Sequence, residues 1–379
     1  ERRGAPCWCL PWLHSMRLVS PPAGVLGALI LTALHPQPSR RCTVRCCALR
    51  DARAPQLDAD PDVAFVLSGY EARSLLKLKK GAPATGSAAI AGPHSIDLGA
   101  SSAASLLITA DGVALDEPAP EGEPEHSPPD ASVTWDELEK MEKRGGAYKC
   151  YWPHLGYSVD RVEGFSEQTQ RAASLLPVDG AHATVTLGGF GMHRFAKGVD
   201  PGMDTEAKLR ALGPALRGDM LDVCTGLGYT SIAAAREVSS VTTIELDPLM
   251  VRMQRDNPWS RELFTQQATG KITRLLGDAT ELVPLFPPAA FDCAVHDPPA
   301  QAMAGELYST SLYSALRRAL RPKGVLYHYI GDPSSKASGK LFSGVKQRLL
   351  EAGFREVRIH HAVRPGHTCL GVAGVASLT

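Results

Sequence analysis

Four acidic residues, Asp222, Glu245, Asp278 and Asp297, each stand in or just past a short apolar run that reads as a β-strand, at 220–224, 241–244, 272–276 and 291–295. Carboxylates so placed can accept paired hydrogen bonds from vicinal hydroxyls or hold an ammonium, and such charge-assisted bonds contribute roughly 1.5–3 kcal/mol each. The first run passes directly into Thr225-Gly226-Leu227-Gly228-Tyr229-Thr230 and a helical stretch at 231–236. Strand, glycine turn and helix together aim backbone N–H groups and a positive helix end at a nucleotide-like ligand. Glu245 falls seventeen residues after Gly228, where it can meet ribose hydroxyls. Any one of these acids could be only a helix cap. Four in succession predict a single ligand-binding edge of an open parallel sheet.

The elements that must carry these residues continue the alternation. An amphipathic helix at 309–320 is stopped by Arg321-Pro322-Lys323-Gly324, and a fifth strand follows at 325–330. A helix at 336–352 ends at Gly353. Strands at 356–362 and 368–373, joined by Arg364-Pro365-Gly366, make the last strand antiparallel. The spacing therefore predicts an α/β, Rossmann-like seven-stranded domain over 217–379. Upstream, short alternating runs at 63–67, 95–98, 105–109, 112–115, 147–152 and 158–162, with a capping box at Thr134 and Glu137 opening a charged helix, predict a small α+β domain over 60–165. An acidic, proline-rich stretch at 117–130 reads as its exposed loop. A bridging segment, 166–216, holds a strand at 183–187, the sequence GGFGMHRF at 188–195 and a helix at 204–212.

Forty basic residues balance forty acidic ones, so no global field draws the chain to nucleic acid or to an anionic membrane. After Glu1 no acid appears until Asp51, while seven arginines do, which is the charge bias of a targeting peptide. Residues 1–58 are thus expected to lie outside the fold, either as a leader for a plastid or another organelle, as a plain signal peptide, or as a disordered tail. The apolar stretch at 23–34 is shorter than the about 20 residues of a membrane span. Nine cysteines, five of them in the first 47 residues, show neither a disulfide framework nor zinc-ligand spacing. Cys224 and Cys293 read as small apolar fillers.

DVCTGLG, IELDP, GDA and HDPP, in that order, resemble the successive motifs of class I S-adenosylmethionine (SAM)-dependent methyltransferases over about 160 residues. A narrower resemblance, through GFGMHRF, CTGLGYTSI, NPWSREL, HDPPAQAMAGELYS and LYHYIGDP, is to a little-studied family of predicted methyltransferases best represented in archaea. The class resemblance implies SAM as cofactor. It implies that Asp222 holds the amino end of the methionine moiety, that Gly226 and Gly228 let the backbone pass close beneath it, and that Glu245 binds the ribose. Asp278 would accept from the adenine amino group; Thr225, Tyr229 and Ala279 fall within the same cofactor-binding motifs. Asp297, Pro298 and Pro299 would line the place where methyl group meets nucleophile. Apart from the resemblance, Tyr229, His193, Tyr308, His328 and Tyr329 each stand near an expected strand end or glycine-rich turn and are read either as a base or substrate contact or as packing residues, His193 and Tyr308 foremost. In class members that methylate planar amines an aromatic residue follows the two prolines. Ala300 stands there instead, which points either to a metabolite amine or to a substrate whose ring is gripped by another residue. The segment Asn257-Pro258-Trp259-Ser260 reads either as an insert over the adenine pocket or as a turn with a buried Trp. Other readings are an aminopropyltransferase resembling spermidine synthase, whose acidic polyamine loop is missing here; an NAD-dependent enzyme, which lacks its third glycine at Ser231; and a binding protein that keeps the fold. The methyl acceptor is unspecified.

Overall fold

The computed structural model describes residues 48–56, 63–115, 133–151, 159–193, 199–331, 338–364 and 367–375. The loop at 117–130 and the leader up to residue 47 lie outside the described residues. No helix among the described residues is long and apolar enough to cross a membrane.

Among the described residues, eleven strands precede the predicted ligand-binding sheet: β1 (Val63–Ser68), β2 (Ser87–Ile96), β3 (Ser101–Thr109), β4 (Gly112–Leu115), β5 (Val133–Thr134), β6 (Ala147–Tyr151), β7 (Val159–Arg161), β8 (Glu163–Ser166), β9 (Arg171–Val178), β10 (Ala181–Leu187) and β11 (Phe190–Gly191). They pair antiparallel in three sheets, ordered β2-β3-β4-β5, β1-β6-β7 and β11-β10-β9-β8. The capping box forms: Thr134 accepts from the Glu137 N–H, and the Glu137 carboxylate accepts from the Thr134 N–H at 2.8 Å. The helix it opens, Trp135–Arg144, buries Trp135, Leu138 and Met141 against Phe65, Leu67, Leu106 and Ile108. Beyond residue 165 the structure departs from the expected bridge, because β9 and β10 pair as a hairpin and carry the N-terminal part on to β11. Ala173 and Leu175 of β9 alternate inward, but small residues and Pro177 weaken its strand signature.

The second sheet is built from β12 (Asp219–Val223), β13 (Ser240–Glu245), β14 (Ile272–Leu276), β15 (Phe291–His296), β16 (Leu320–Gly331), β17 (Arg355–Arg364) and β18 (His367–Val375). Their order is β14-β13-β12-β15-β16-β18-β17, parallel through β16, with β18 antiparallel to both of its neighbours. In register, Val223 lies beside Ile244 of β13 and His296 of β15, so the carboxyl ends are level. Side chains alternate along β12. Leu221 and Val223 pack with Leu312, Leu316 and Leu349, while Met220 packs on the other side with Leu209, Ile232 and Leu263. Both faces are therefore covered, which is why these strands read as nearly unbroken apolar runs. Asp222 shares the Met220 side and looks toward the helices Pro201–Leu212 and Tyr229–Ala234.

Residues 48–56, expected to belong to the leader, are part of the folded body. The Ala54 N–H donates to the Arg274 carbonyl at 2.9 Å and the Leu276 N–H to the Ala52 carbonyl at 2.6 Å, an antiparallel bridge on the free edge of β14. Ala54 is buried there, and Leu49 and Ala52 pack against the core. Alanine at Leu221, in the centre of the sheet, is expected to lower stability by about 2–5 kcal/mol in urea unfolding; a loss below about 1 kcal/mol would place this strand outside the cooperative core.

Candidate functional site

The turn after β12 is fixed by its backbone. The Thr225 N–H donates to the Ile244 carbonyl at 2.9 Å, and the Gly228 N–H to the Thr225 carbonyl at 2.9 Å. Cys224, Gly226 and Gly228 adopt positive φ of 73°, 55° and 86°. The two glycines serve different ends. A Cβ on Gly226 would meet nothing within 4 Å, so its face is open to a ligand, whereas one on Gly228 would lie 2.7 Å from Leu263 Cδ2 and collide with the core. Cys224 is partly buried on the opposite face, against the cluster of Leu221 and Val223, as a filler would be; burial and the carboxylates of Glu245 and Asp297 push its thiol well above the usual range.

Around this turn the chain's polar atoms are tied back. Glu245 accepts from the N–H of Gly226 at 2.9 Å and from that of Asp247 at 3.0 Å. Gln254 Nε2 donates to the Gly226 carbonyl at 2.6 Å and Ser260 Oγ to the Leu227 carbonyl at 2.7 Å. Asp222 lies beneath with a relative exposure of 0%. Its Oδ2 accepts from Ser231 Oγ at 2.6 Å and Thr243 Oγ1 at 3.1 Å, but its Oδ1 is buried without a partner. Burial pushes Asp222 up to about 7, against the two hydroxyl donors. Burial likewise pushes Glu245 up to about 7, against its backbone donors. Buried carboxylates without a cation are costly as anions. A ligand that brings an ammonium to Asp222 and hydroxyls to Glu245, over the open Gly226 face, fits these residues.

At the end of β15 the motif His296-Asp297-Pro298-Pro299 meets a residue the sequence reading missed. Lys208, 2% exposed on the helix Pro201–Leu212, donates to Asp297 Oδ2 at 2.6 Å and pairs with Asp204 Oδ2 at 2.7 Å. It also lies 4.9 Å over the Tyr329 ring. Burial alone would lower Lys208; Asp297 and Asp204 outweigh it and hold the ammonium well above its ordinary value. His193 is brought to the same place. Its Nδ1 is 3.0 Å from Thr184 Oγ1, and burial with the charge of Lys208 lowers it to about 4, so the imidazole is neutral.

Several expected site residues are committed elsewhere. Tyr308 donates to the Pro299 carbonyl at 2.9 Å with its ring buried, so it braces the two prolines and is not a free base. Tyr229 donates to the Ala183 carbonyl at 2.7 Å and accepts from Asn257, and burial raises it far above the tyrosine range; it anchors the turn. Thr225 shares a hydrogen bond with Thr243 at 2.7 Å. Asp278 caps the short helix after β14, its Oδ1 accepting from the Thr280 N–H and hydroxyl, each at 2.7 Å, and Ala279 is packed in the core. His328 lies inside, between Tyr313 Oη at 3.0 Å and the His296 carbonyl at 3.1 Å. Trp259 stands in a turn, donating to the Leu98 carbonyl at 3.0 Å with its ring 4.1 Å from His182, so it joins the two parts of the chain. Acidic residues at strand ends could be found from sequence. Lys208 and Gln254, buried polar residues on helices, gave no such signal.

A glycine turn at the carboxyl edge of a parallel sheet, with acids at successive strand ends, defines an α/β domain of the methyltransferase type. A profile described as "Methyltransferase domain" matches residues 221–328. An uncharacterized protein of Methanocaldococcus jannaschii is 37% identical over 231 residues, 61% of this chain and 76% of that one. The chain belongs to the same family as that protein, and its residues 221–328 form a methyltransferase domain. Among solved structures it is similar to the spermidine synthase of Thermotoga maritima, at 17% identity and a TM-score of 0.44 over 62% of this chain and 76% of that one. A SAM-dependent methyltransferase of Aquifex aeolicus is 18% identical, with a TM-score of 0.34 over 46% of this chain and 89% of that one. Likeness at that distance does not specify a reaction.

Two predictions test the charges. Lys208→Ala leaves the buried Asp204 and the half-buried Asp297 without their cation and is expected to cost about 3–5 kcal/mol of stability by denaturant unfolding; a loss under about 1 kcal/mol would show that the cluster is solvated. Because the folded Asp222 holds its proton to about pH 7, the unfolded chain releases it first as pH rises, and ligand-free stability falls between about pH 4 and 7. Asp222→Asn keeps both hydroxyl contacts and should melt higher than the wild type at pH 8, with the gap closing toward pH 4; a gap independent of pH would contradict the assignment.

Proposed function

We propose that the chain is a SAM-dependent methyltransferase acting on an amine nitrogen. The observation that carries this reading is the buried, unpartnered Oδ1 of Asp222 beneath the open face of Gly226, with the raised Glu245 carboxylate beside it. Asp222 would take the cofactor's ammonium, Glu245 its ribose hydroxyls, and Asp278 its adenine amino group. SAM, when bound, supplies an electrophilic methyl group on a sulfonium, so alignment and exclusion of water are what remain for the protein. Lys208 fixes Asp297 Oδ2 and leaves Oδ1 to accept an N–H of the acceptor, orienting its nitrogen. Pro298 and Pro299, braced by Tyr308, hold that carboxylate in place. The neutral His193 imidazole is a second hydrogen-bonding group for the acceptor. Ala300 is exposed and offers no ring to stack on, which favours an aliphatic amine over a nucleobase.

A second reading, aminopropyl transfer from decarboxylated SAM, draws on the carboxylates near Asp297: Asp204 and Asp297 share the ammonium of Lys208, and Asp222 lies near enough to feel the charges of Asp297 and Lys208 without an ion pair of its own. That balance suits a polycationic acceptor. Calorimetric titration separates the readings. SAM is expected to bind in the micromolar range, binding is expected to be lost in the Asp222→Ala, Glu245→Ala double variant, and labelled methyl donor then serves to find the acceptor. Binding should also release protons near pH 7, because a bound cation pulls the raised Asp222 carboxyl down. Binding of decarboxylated SAM alone would establish aminopropyl transfer, and binding of neither would remove both readings.

A further inference from the structure

We infer that Gln254 and Arg274 are positioning residues for the cofactor turn, and that residues 48–56 form the strap that holds them; the inference rests on the SAM reading above. Gln254 is fully buried on the helix Pro248–Asp256. Its Nε2 donates to the Gly226 carbonyl at 2.6 Å, and its Oε1 accepts from Arg274 Nη2 at 2.7 Å. A guanidinium has donors only, so it admits one orientation of the amide, oxygen toward Arg274 and nitrogen toward Gly226. The flipped amide would set oxygen against carbonyl and N–H against guanidinium. Gly226 is thereby clamped on both sides, its N–H on Glu245 and its carbonyl on Gln254, while its Cα face stays open to a ligand.

Arg274 is itself held by neutral groups. It is buried on β14, its guanidinium 4.4 Å over the Phe264 ring, with Nη1 donating to Gln267 Oε1 at 2.9 Å and to the Pro55 carbonyl at 3.3 Å. Burial lowers it to about 10, with Glu245 acting in the opposite direction. Pro55 belongs to the strap, which is fastened by the two backbone bonds to β14, by Gln56 Nε2 on the Phe264 carbonyl at 3.3 Å, and by Gln267 Nε2 on the Ala54 carbonyl at 3.3 Å. The strap thus fixes the guanidinium, the guanidinium fixes the amide, and the amide fixes the carbonyl of the turn.

Gln254→Glu tests the last link. The variant keeps an acceptor for Arg274 and adds a countercharge, but loses the N–H that reaches Gly226. It is expected to melt at or above the wild-type temperature while binding SAM at least fivefold more weakly by calorimetry, a split that a packing role would not produce. Ala54→Asp, which forces a charge into the strap's buried contact, is expected to weaken SAM binding by a similar factor. The double variant should bind no more than twofold more weakly than the weaker single one, since both changes break one route. SAM affinity within twofold of wild type in Gln254→Glu overturns the positioning role. The same result in Ala54→Asp, or multiplied losses in the double variant, overturns the strap. Failure of the wild type itself to bind SAM would instead sink the cofactor reading, and is seen before any variant is compared.

Discussion

The parallel pairing of β12 with β13 on one side and β15 on the other is the constraint on which the site depends. It sets Asp222 beside Thr243 and Val223 beside both Ile244 and His296, so the turns after three strands open at one level. A slip of one residue in β12 would exchange its faces, turning Asp222 into the apolar cluster of Leu312 and Leu316 and bringing Leu221 or Val223 under the turn. The apolar alternation of Met220, Leu221 and Val223 against two covered faces therefore fixes more than stability. It determines which side of the sheet receives a carboxylate.

Placing that carboxylate under the turn has an electrostatic cost that the fold does not offset from within. Ser231 and Thr243 satisfy one oxygen of Asp222, and backbone N–H groups serve Glu245, but neither acid receives a cation among the described residues. Where the chain does supply a buried cation it directs it elsewhere: Lys208 to Asp204 and Asp297, Arg274 to amide and carbonyl oxygens. Two levels of charge result along one edge. The Asp297 end is paired with Lys208, and the Asp222 end has no ion pair among the described residues, which on the proposed reading leaves it to a ligand that carries its own positive group.

Strands buried on both faces announce themselves as apolar runs, and an acid at the end of such a run stands out, so 272–276 and the positions of the four acids were legible in the sequence. β9 was not, since Arg171-Ala172-Ala173-Ser174 offers little area to bury and Pro177 argues against a strand. The hydrogen bonds of Tyr229 and Tyr308 are not legible for a related reason: a hydroxyl near a turn looks the same in sequence whether it faces a ligand or a carbonyl of its own chain. Lys208, Gln254 and Arg274 were invisible because a charged or amide residue in a helix or at a sheet edge is normally a solvated one. Only the tertiary structure reveals that these three are buried, with Ala54 and its neighbours, once read as leader, closing over the edge beside Arg274.

The N-terminal sheets bear on the same turn. Leu227, Tyr229, Leu249 and Met250 share one apolar cluster with Val66, Leu98, Ala173 and Val185, so the helix that begins at Tyr229 is seated partly on strands from the N-terminal part. Tyr229 donates to the Ala183 carbonyl, and Trp259 donates to the Leu98 carbonyl while packing on His182. His193, which follows β11, reaches the Lys208 cluster from the same direction. The strands that seat the glycine turn therefore also carry the His193 imidazole within electrostatic reach of Lys208 and Asp297. On the proposed methyl-transfer reading, an acceptor held between His193 and Asp297 would touch both parts of the chain at once.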